Sequence, residues 1–161
     1  EKVQVKVCGL MGGHSGAEID KNRANANKLM GRFLYGLKKK AEYALISLTG
    51  GQKDNAITRE CTSEFLTDSV AEVKAYAKEL QEQLREEYTG SDENITFEIT
   101  EKGTATAEVL HPTSQEKIVF YLQNVPFGIQ KMSGTIKGLV EPPAISVSSV
   151  WIGTSFLQVP V

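Results

Sequence analysis

Side chains suited to catalysis are few in this chain, which contains two histidines, His14 and His111, and two cysteines, Cys8 and Cys61. His14 lies within a glycine-rich segment, residues 9–16, between a strand-like and a helix-like stretch. Glycines on both sides allow the backbone to present one imidazole at the tip of a turn. An imidazole so placed can donate a hydrogen bond to a substrate carboxylate or to a developing oxyanion.

Three other interpretations of the glycine-rich segment compete with a presented histidine. Glycines at positions 9, 12, 13 and 16 fit neither GxGxxG nor GxxxxGK[ST], which disfavours a nucleotide site. Ser15 is a poor candidate nucleophile because Ala17 replaces the last glycine of GxSxG. In a purely structural interpretation the glycines form a tight turn, and Ser15 with Glu18 forms a capping pattern. The segment alone leaves the structural interpretation and the presented histidine open.

The cysteines and the histidine count predict that this chain binds no metal. Cys8 and Cys61 are too far apart for a CxxC motif, so we expect two reduced, semi-buried thiols and no Cys61 nucleophile. A protein built around its own zinc site usually has more ligands, and in clusters.

Composition indicates a soluble globular protein. The chain has 161 residues, 40% apolar and 24% charged, with a formal net charge of -2. Its length fits one domain, residues 1–161. No apolar run approaches the ~18 residues of a membrane span, and the slightly acidic balance disfavours a dedicated nucleic-acid binder. Because it begins at Glu1 directly in a strand-like pattern, we expect a piece of a larger protein.

Hydrophobic periodicity predicts the elements that must position His14. An amphipathic helix runs from Asp20 or Asn22, its predicted N-cap, to about Glu42. Asp68 is predicted to cap a second helix, whose apolar stripe runs from Val70 to Tyr88, and a third helix covers 115–123. The predicted strands are 3–7, 44–48, 56–66 and 95–99, with further strands within 129–132, 145–152 and 157–161.

The order of these elements predicts an α+β fold with a ferredoxin-like βαββαβ core and a C-terminal extension. The sheet would be antiparallel, with the helices on one face. Its other face must then be polar or covered by something else.

Three motifs together resemble the aminoacyl-histidine dipeptidases, which are carnosinase-like, dinuclear-zinc, cytoplasmic metallopeptidases. The motifs occur in that family's order and span most of the chain. They are Gly12-Gly13-His14-Ser15-Gly16 with Ile19-Asp20 and the run from Arg23 to Met30; Gly50-Gly51 with Asp54-Asn55-Ala56-Ile57 and Arg59-Glu60-Cys61; and Met132-Ser133 with Gly138-Leu139-Val140-Glu141.

This resemblance implies that the chain is the lid, or dimerisation, domain of a larger homodimeric enzyme that hydrolyses Xaa-His dipeptides. Two zinc ions would lie in the separate catalytic domain, so the fragment alone would be inactive. By its motif position, His14 would reach the partner subunit's active site, help to bind substrate and stabilise the tetrahedral oxyanion. Asn55 would likewise contact the substrate. Two departures from the family occur: Thr58 replaces a proline, and Pro142-Pro143 follows the third motif.

A different class of function remains open beside the peptidase. The same topology serves non-catalytic oligomerisation modules and small-molecule-sensing modules, because a fold does not determine a function. Such a module would need neither His14 nor Asn55.

Overall fold

The computed structural model describes residues 1–14, 18–51, 55–128, 131–136, 140–141, 150–153 and 156–158. Three helices and ten strands occur in these ranges. The helices are α1 (Ala26–Leu37), α2 (Val70–Glu87) and α3 (Pro112–Asn124). The strands are β1 (Lys2–Cys8), β2 (Gly13–His14), β3 (Ala44–Gly50), β4 (Ala56–Ile57), β5 (Cys61–Leu66), β6 (Thr96–Glu101), β7 (Lys131–Met132), β8 (Val140–Glu141), β9 (Val150–Gly153) and β10 (Phe156–Gln158).

Six of these strands form one sheet in the order β10-β9-β3-β5-β1-β6, with antiparallel pairing throughout the described residues. Four consecutive strands of this sheet, β3-β5-β1-β6, have the ferredoxin-like order, while β9 and β10 extend the sheet beyond β3. The predicted α+β class and ferredoxin-like core are therefore confirmed. Two ribbons lie apart from the sheet: β2 pairs with β4, and β7 pairs with β8.

Alternation along β1 separates the two faces of the sheet. Val3, Val5 and Val7 are fully buried on the face that carries the helices. The intervening residues belong to the opposite, polar face, where Lys2 pairs with Glu64 at 2.9 Å. Burying one apolar face against helices supplies the main stabilisation of such a sheet.

Helix α1 starts later and ends earlier than predicted. The candidates Asp20 and Asn22 do not cap it: a short 3₁₀ turn, Ile19–Lys21, comes first, and Asn22 has a left-handed φ of 50° that interrupts the helical path. Asn25 is the N-cap instead, because its side-chain oxygen accepts the N–H groups of Asn27 and Lys28. At the other end, α1 stops at Leu37 rather than near Glu42.

Two other predicted boundaries were also wrong. Ser69, not Asp68, precedes α2, because the Ser69 carbonyl accepts the Val73 N–H while the Thr67 hydroxyl accepts the Ser69 N–H. The third helix begins at Pro112, three residues before the predicted start, because His111 caps it.

The predicted third strand, 56–66, is divided in two. Its first part is β4, which leaves the main sheet to pair with β2, and its second part is β5. The predicted C-terminal strands are present as β7, β9 and β10. The remaining positions of those predictions, and Pro142-Pro143, lie outside the described residues.

Glutamine side chains form hydrogen bonds with backbone groups on or beside both outer strands of the ferredoxin-like core. The Leu45 N–H on β3 donates to the Gln115 side chain at 2.7 Å, and the Gln115 amide donates to the Tyr43 carbonyl at 3.1 Å. On β6, the Phe97 N–H donates to the Gln81 side chain at 2.8 Å. Helices α3 and α2 thus satisfy strand groups that have no strand partner at those positions among the described residues.

Close packing of α1 against α3 depends on a glycine. A Cβ added to Gly31 would lie 2.5 Å from the Leu122 Cβ and 2.9 Å from the Leu122 backbone carbon. At Gly36 of the same helix, an added Cβ would meet only the phenol end of Tyr76.

We expect Gly31→Ala to lower the free energy of unfolding by about 1–3 kcal/mol, because α3 must move as a backbone unit to relieve the contact. Gly36→Ala is the matched control, since the Tyr76 side chain can swing away. Chemical denaturation of both variants measures the difference. Equal losses of stability would contradict the proposed dependence of the α1–α3 contact on Gly31.

Candidate functional site

Of the two site residues predicted from the resemblance, His14 lies on the β2–β4 ribbon and Asn55 lies just before it. His14 pairs with Ala56, and Gly13 pairs with Ile57. Asn55 directly precedes Ala56, so His14 and Asn55 occupy neighbouring backbone positions at the same end of the ribbon. Both residues are exposed.

Steric limits explain the glycines before His14. Gly9 and Gly12 have φ values of +81° and +65°, which side chains rarely adopt. A Cβ at Gly9 would lie 2.0 Å from the Asn94 carbonyl oxygen, and one at Gly12 would lie 2.3 Å from the Arg59 Cγ. These glycines therefore allow the segment to lie directly against its neighbours.

Glu18 closes the turn that contains His14. The His14 N–H donates to Glu18 Oε2 at 2.8 Å, and the Glu18 N–H donates to the His14 carbonyl at 3.0 Å. The sequence pattern predicted that Glu18 would act with Ser15, which lies outside the described residues. The observed contact gives Glu18 a more direct role, because it holds the backbone of the candidate functional histidine itself.

Positive charges surround the Glu18 carboxylate. Lys21 and Arg23 each approach it at 3.1 Å. The hydrogen bond from the His14 N–H, together with these cations, lowers the pKa of Glu18 from 4.5 to about 2. Arg23 also donates to the Gly12 carbonyl, so it links Glu18 to the backbone just before His14.

Asp92 binds the same segment from the opposite side. One carboxylate oxygen accepts the Met11 N–H at 2.6 Å, and the other accepts the Ala24 N–H at 2.7 Å. The side chain is buried, with 1% exposed. Sequence reasoning missed Asp92, because its partners are 81 and 68 positions away.

Strand β4 is attached to the start of α1 by buried polar groups. The Ala26 N–H donates to the Thr58 carbonyl at 2.9 Å, and the Asn27 amide donates to the Thr58 hydroxyl at 3.2 Å. Gly50 lies against Asn27, where an added Cβ would be 1.9 Å from Asn27 Oδ1. Thr58, which replaces the proline of the resembled family, therefore has a specific partner for its hydroxyl in Asn27.

The pattern of this chain matches a known family of domains. The family model of the peptidase dimerisation domain matches residues 5–92, more than half of the chain. The chain belongs to the peptidase dimerisation domain family. The matched residues include the whole β2–β4 ribbon and Asp92.

Two relatives resemble this dimerisation domain over most of its length. The cytosol non-specific dipeptidase of Escherichia coli (strain K12) is 33% identical over 143 residues, which are 88% of this chain and 29% of that protein. The crystal structure of aminoacylhistidine dipeptidase from Vibrio alginolyticus has a TM-score of 0.85 at 30% identity, covering 92% of this chain and 30% of that one. The predicted resemblance to a dimerisation-domain fragment of such a peptidase is confirmed. The chain spans less than a third of each relative.

The second histidine and the two cysteines of the dimerisation domain have structural roles in this fold. The His111 Nδ1 accepts the Thr113 N–H at 3.3 Å and so caps α3. Both cysteines are buried free thiols, as predicted. Burial raises the pKa of Cys8 and of Cys61, which opposes formation of a nucleophilic thiolate. Within the described ranges, no helix is both long and apolar enough to span a bilayer.

We expect Glu18→Gln to remove part of the acid sensitivity of folding. A carboxyl whose folded pKa is lowered stabilises the fold above its unfolded pKa, and this contribution disappears as pH falls through the folded pKa. The stability difference between wild type and variant should be constant above about pH 4.5 and shrink toward pH 2. Denaturation across that pH range measures it.

Glu82→Gln on the exposed face of α2 is the control for a general charge effect. If Glu18→Gln and wild type lost stability in parallel down to pH 2, the assigned role of Glu18 would be wrong.

Proposed function

We propose that this chain, residues 1–161, is the lid and dimerisation domain of a cytoplasmic, zinc-dependent aminoacyl-histidine dipeptidase. The parent would be a homodimer that hydrolyses Xaa-His dipeptides. One observation carries the proposal: the ribbon pairs the His14 strand with the strand that follows Asn55, in a chain that belongs to the peptidase dimerisation domain family. The match to the aminoacylhistidine dipeptidase structure supports the substrate class.

In this proposal, His14 and Asn55 act on the active site of the partner subunit. The His14 imidazole donates a hydrogen bond to the oxyanion that forms when the peptide carbonyl is attacked. The Asn55 carboxamide carries both a donor and an acceptor, which suits contact with a peptide substrate. Glu18 holds the His14 N–H and Arg23 holds the Gly12 carbonyl just before it, so the imidazole needs little rearrangement when the substrate binds.

An open groove lies beside the ribbon, and neither His14 nor Asn55 is among its lining residues. Ala56 and Ile57 of β4 line it, together with Thr49 and Arg59. A molecule in the groove would therefore contact the strand next to His14.

The described residues contain no cluster of three or more His, Cys, Asp or Glu side chains suited to a metal ion. The proposal assigns both zinc ions to the catalytic domain of the parent.

In the full-length parent, we expect His14→Ala to lower kcat roughly 10²–10³-fold, the usual cost of one oxyanion donor. Metal content should stay unchanged. His111→Ala is the matched control, because that histidine caps a helix away from the ribbon. Steady-state kinetics and metal analysis test both variants. Near-normal turnover of His14→Ala would contradict the proposal and favour a non-catalytic module.

Action across the dimer has its own test. A His14→Ala subunit can be mixed with a subunit whose metal ligands are disabled. If His14 serves the partner, the mixed dimer contains one complete site and activity returns. Activity that stays at the level of the separate variants would place His14 in the active site of its own subunit.

We also expect the isolated 161-residue chain to hydrolyse no Xaa-His dipeptide and to bind no stoichiometric zinc, since the catalytic domain is assigned to the rest of the parent. Peptidase assays and metal analysis of the purified chain measure this. Hydrolysis by the isolated chain would overturn the division of labour between the two domains.

A further inference from the structure

The carboxylate of Asp92 joins two backbone positions on opposite sides of His14 in the chain. We propose that Asp92 is a positioning residue for His14: it holds both flanks of the segment 11–24 and so sets where the imidazole lies. The inference rests on the proposed function of His14 and adds a residue on a distant element that controls it.

The two hydrogen bonds of Asp92 cannot both be kept by a neutral substitute. Each oxygen binds one backbone N–H, from Met11 at 2.6 Å and from Ala24 at 2.7 Å. Hydrogen bonds to an ionised acceptor are about twice as strong as neutral ones. Asparagine has one acceptor oxygen, so its amide nitrogen would face a second donor.

Because the Asp92 carboxylate is buried, its hydrogen bonds favour one position of the backbone that it binds. Only 1% of Asp92 is exposed, and among the described residues its carboxylate forms no ion pair. A buried carboxylate is costly unless hydrogen bonds satisfy it. Displacing either Met11 or Ala24 would leave part of the charge unsatisfied, so the carboxylate favours a single position for the two flanks.

The turn that carries Asp92 is itself fixed to α2 and β6. The Asp92 N–H donates to the Tyr88 carbonyl at the end of α2 at 3.0 Å. Arg85 of α2 donates to the Ile95 carbonyl at 2.8 Å, just before β6. Because the turn is held in this way, it provides a stable reference against which the His14 segment is placed.

A double-mutant cycle in the full-length protein tests the inference. We expect Asp92→Asn to lower kcat on the order of 10²-fold, the loss that a misplacement of about 1 Å can cause. If Asp92 acts through His14, the same substitution in a His14→Ala background should change kcat by less than about twofold. Glu93→Gln is the control: it alters the next carboxylate in the turn, which binds the exposed Gly90 N–H at 2.7 Å.

The outcomes separate the two proposals. An equal loss of kcat on Asp92→Asn in both backgrounds would show a general structural role and overturn the inference. A normal kcat for Asp92→Asn alongside a low kcat for His14→Ala would also overturn the inference. It would leave the proposed function intact. Normal kcat for His14→Ala would overturn the proposed function itself.

Amide hydrogen exchange of the wild-type full-length protein covers the case in which Asp92→Asn does not fold. We expect the Met11 and Ala24 amides to exchange as slowly as those of the core strand β1, because the buried carboxylate protects them. Exchange at the rate of an exposed loop would overturn the inference.

Discussion

Backbone N–H groups outside helices and strands need other hydrogen-bond acceptors, and this requirement determines how the segment between β1 and α1 is held. Carboxylates supply the acceptors. Glu18 binds the His14 N–H from within the segment, and Asp92 binds the Met11 and Ala24 N–H groups from the body of the domain. Together with the contacts of Thr58 at the start of α1, these carboxylates fix the ribbon that aligns His14 with Ala56.

Helix α1 connects this segment to the rest of the fold. The first residues of α1 form hydrogen bonds with Thr58, which directly follows β4. Further along the helix, Gly31 lies against Leu122 of α3. The ferredoxin-like core and the C-terminal extension therefore share one central helix. A shift of that helix would affect both the packing of α3 and the position of the exposed ribbon.

Local periodicity was sufficient to predict the core, because buried valines alternate along β1 and a buried stripe repeats along α2. It failed where distant contacts decide the outcome. Strand β4, for example, leaves the main sheet to pair with the remote β2, and at the start of α1 a local 3₁₀ turn moves the N-cap to Asn25. Asp92 shows no local pattern, since both of its partners are remote in sequence. The glycine-rich segment made His14 one open candidate, the family resemblance selected it together with Asn55, and the structure places Asn55 directly before the strand that pairs with His14.

The glutamines on the outer core strands have a consequence for how two copies of this dimerisation domain can meet. Gln115 forms hydrogen bonds with backbone groups at the start of β3, before the residues that pair with β9. Gln81 accepts the Phe97 N–H of β6. A second copy that extended the core sheet by strand addition at either place would first have to displace a glutamine side chain. Each glutamine thus takes up backbone hydrogen-bonding groups that an added strand would need at that position.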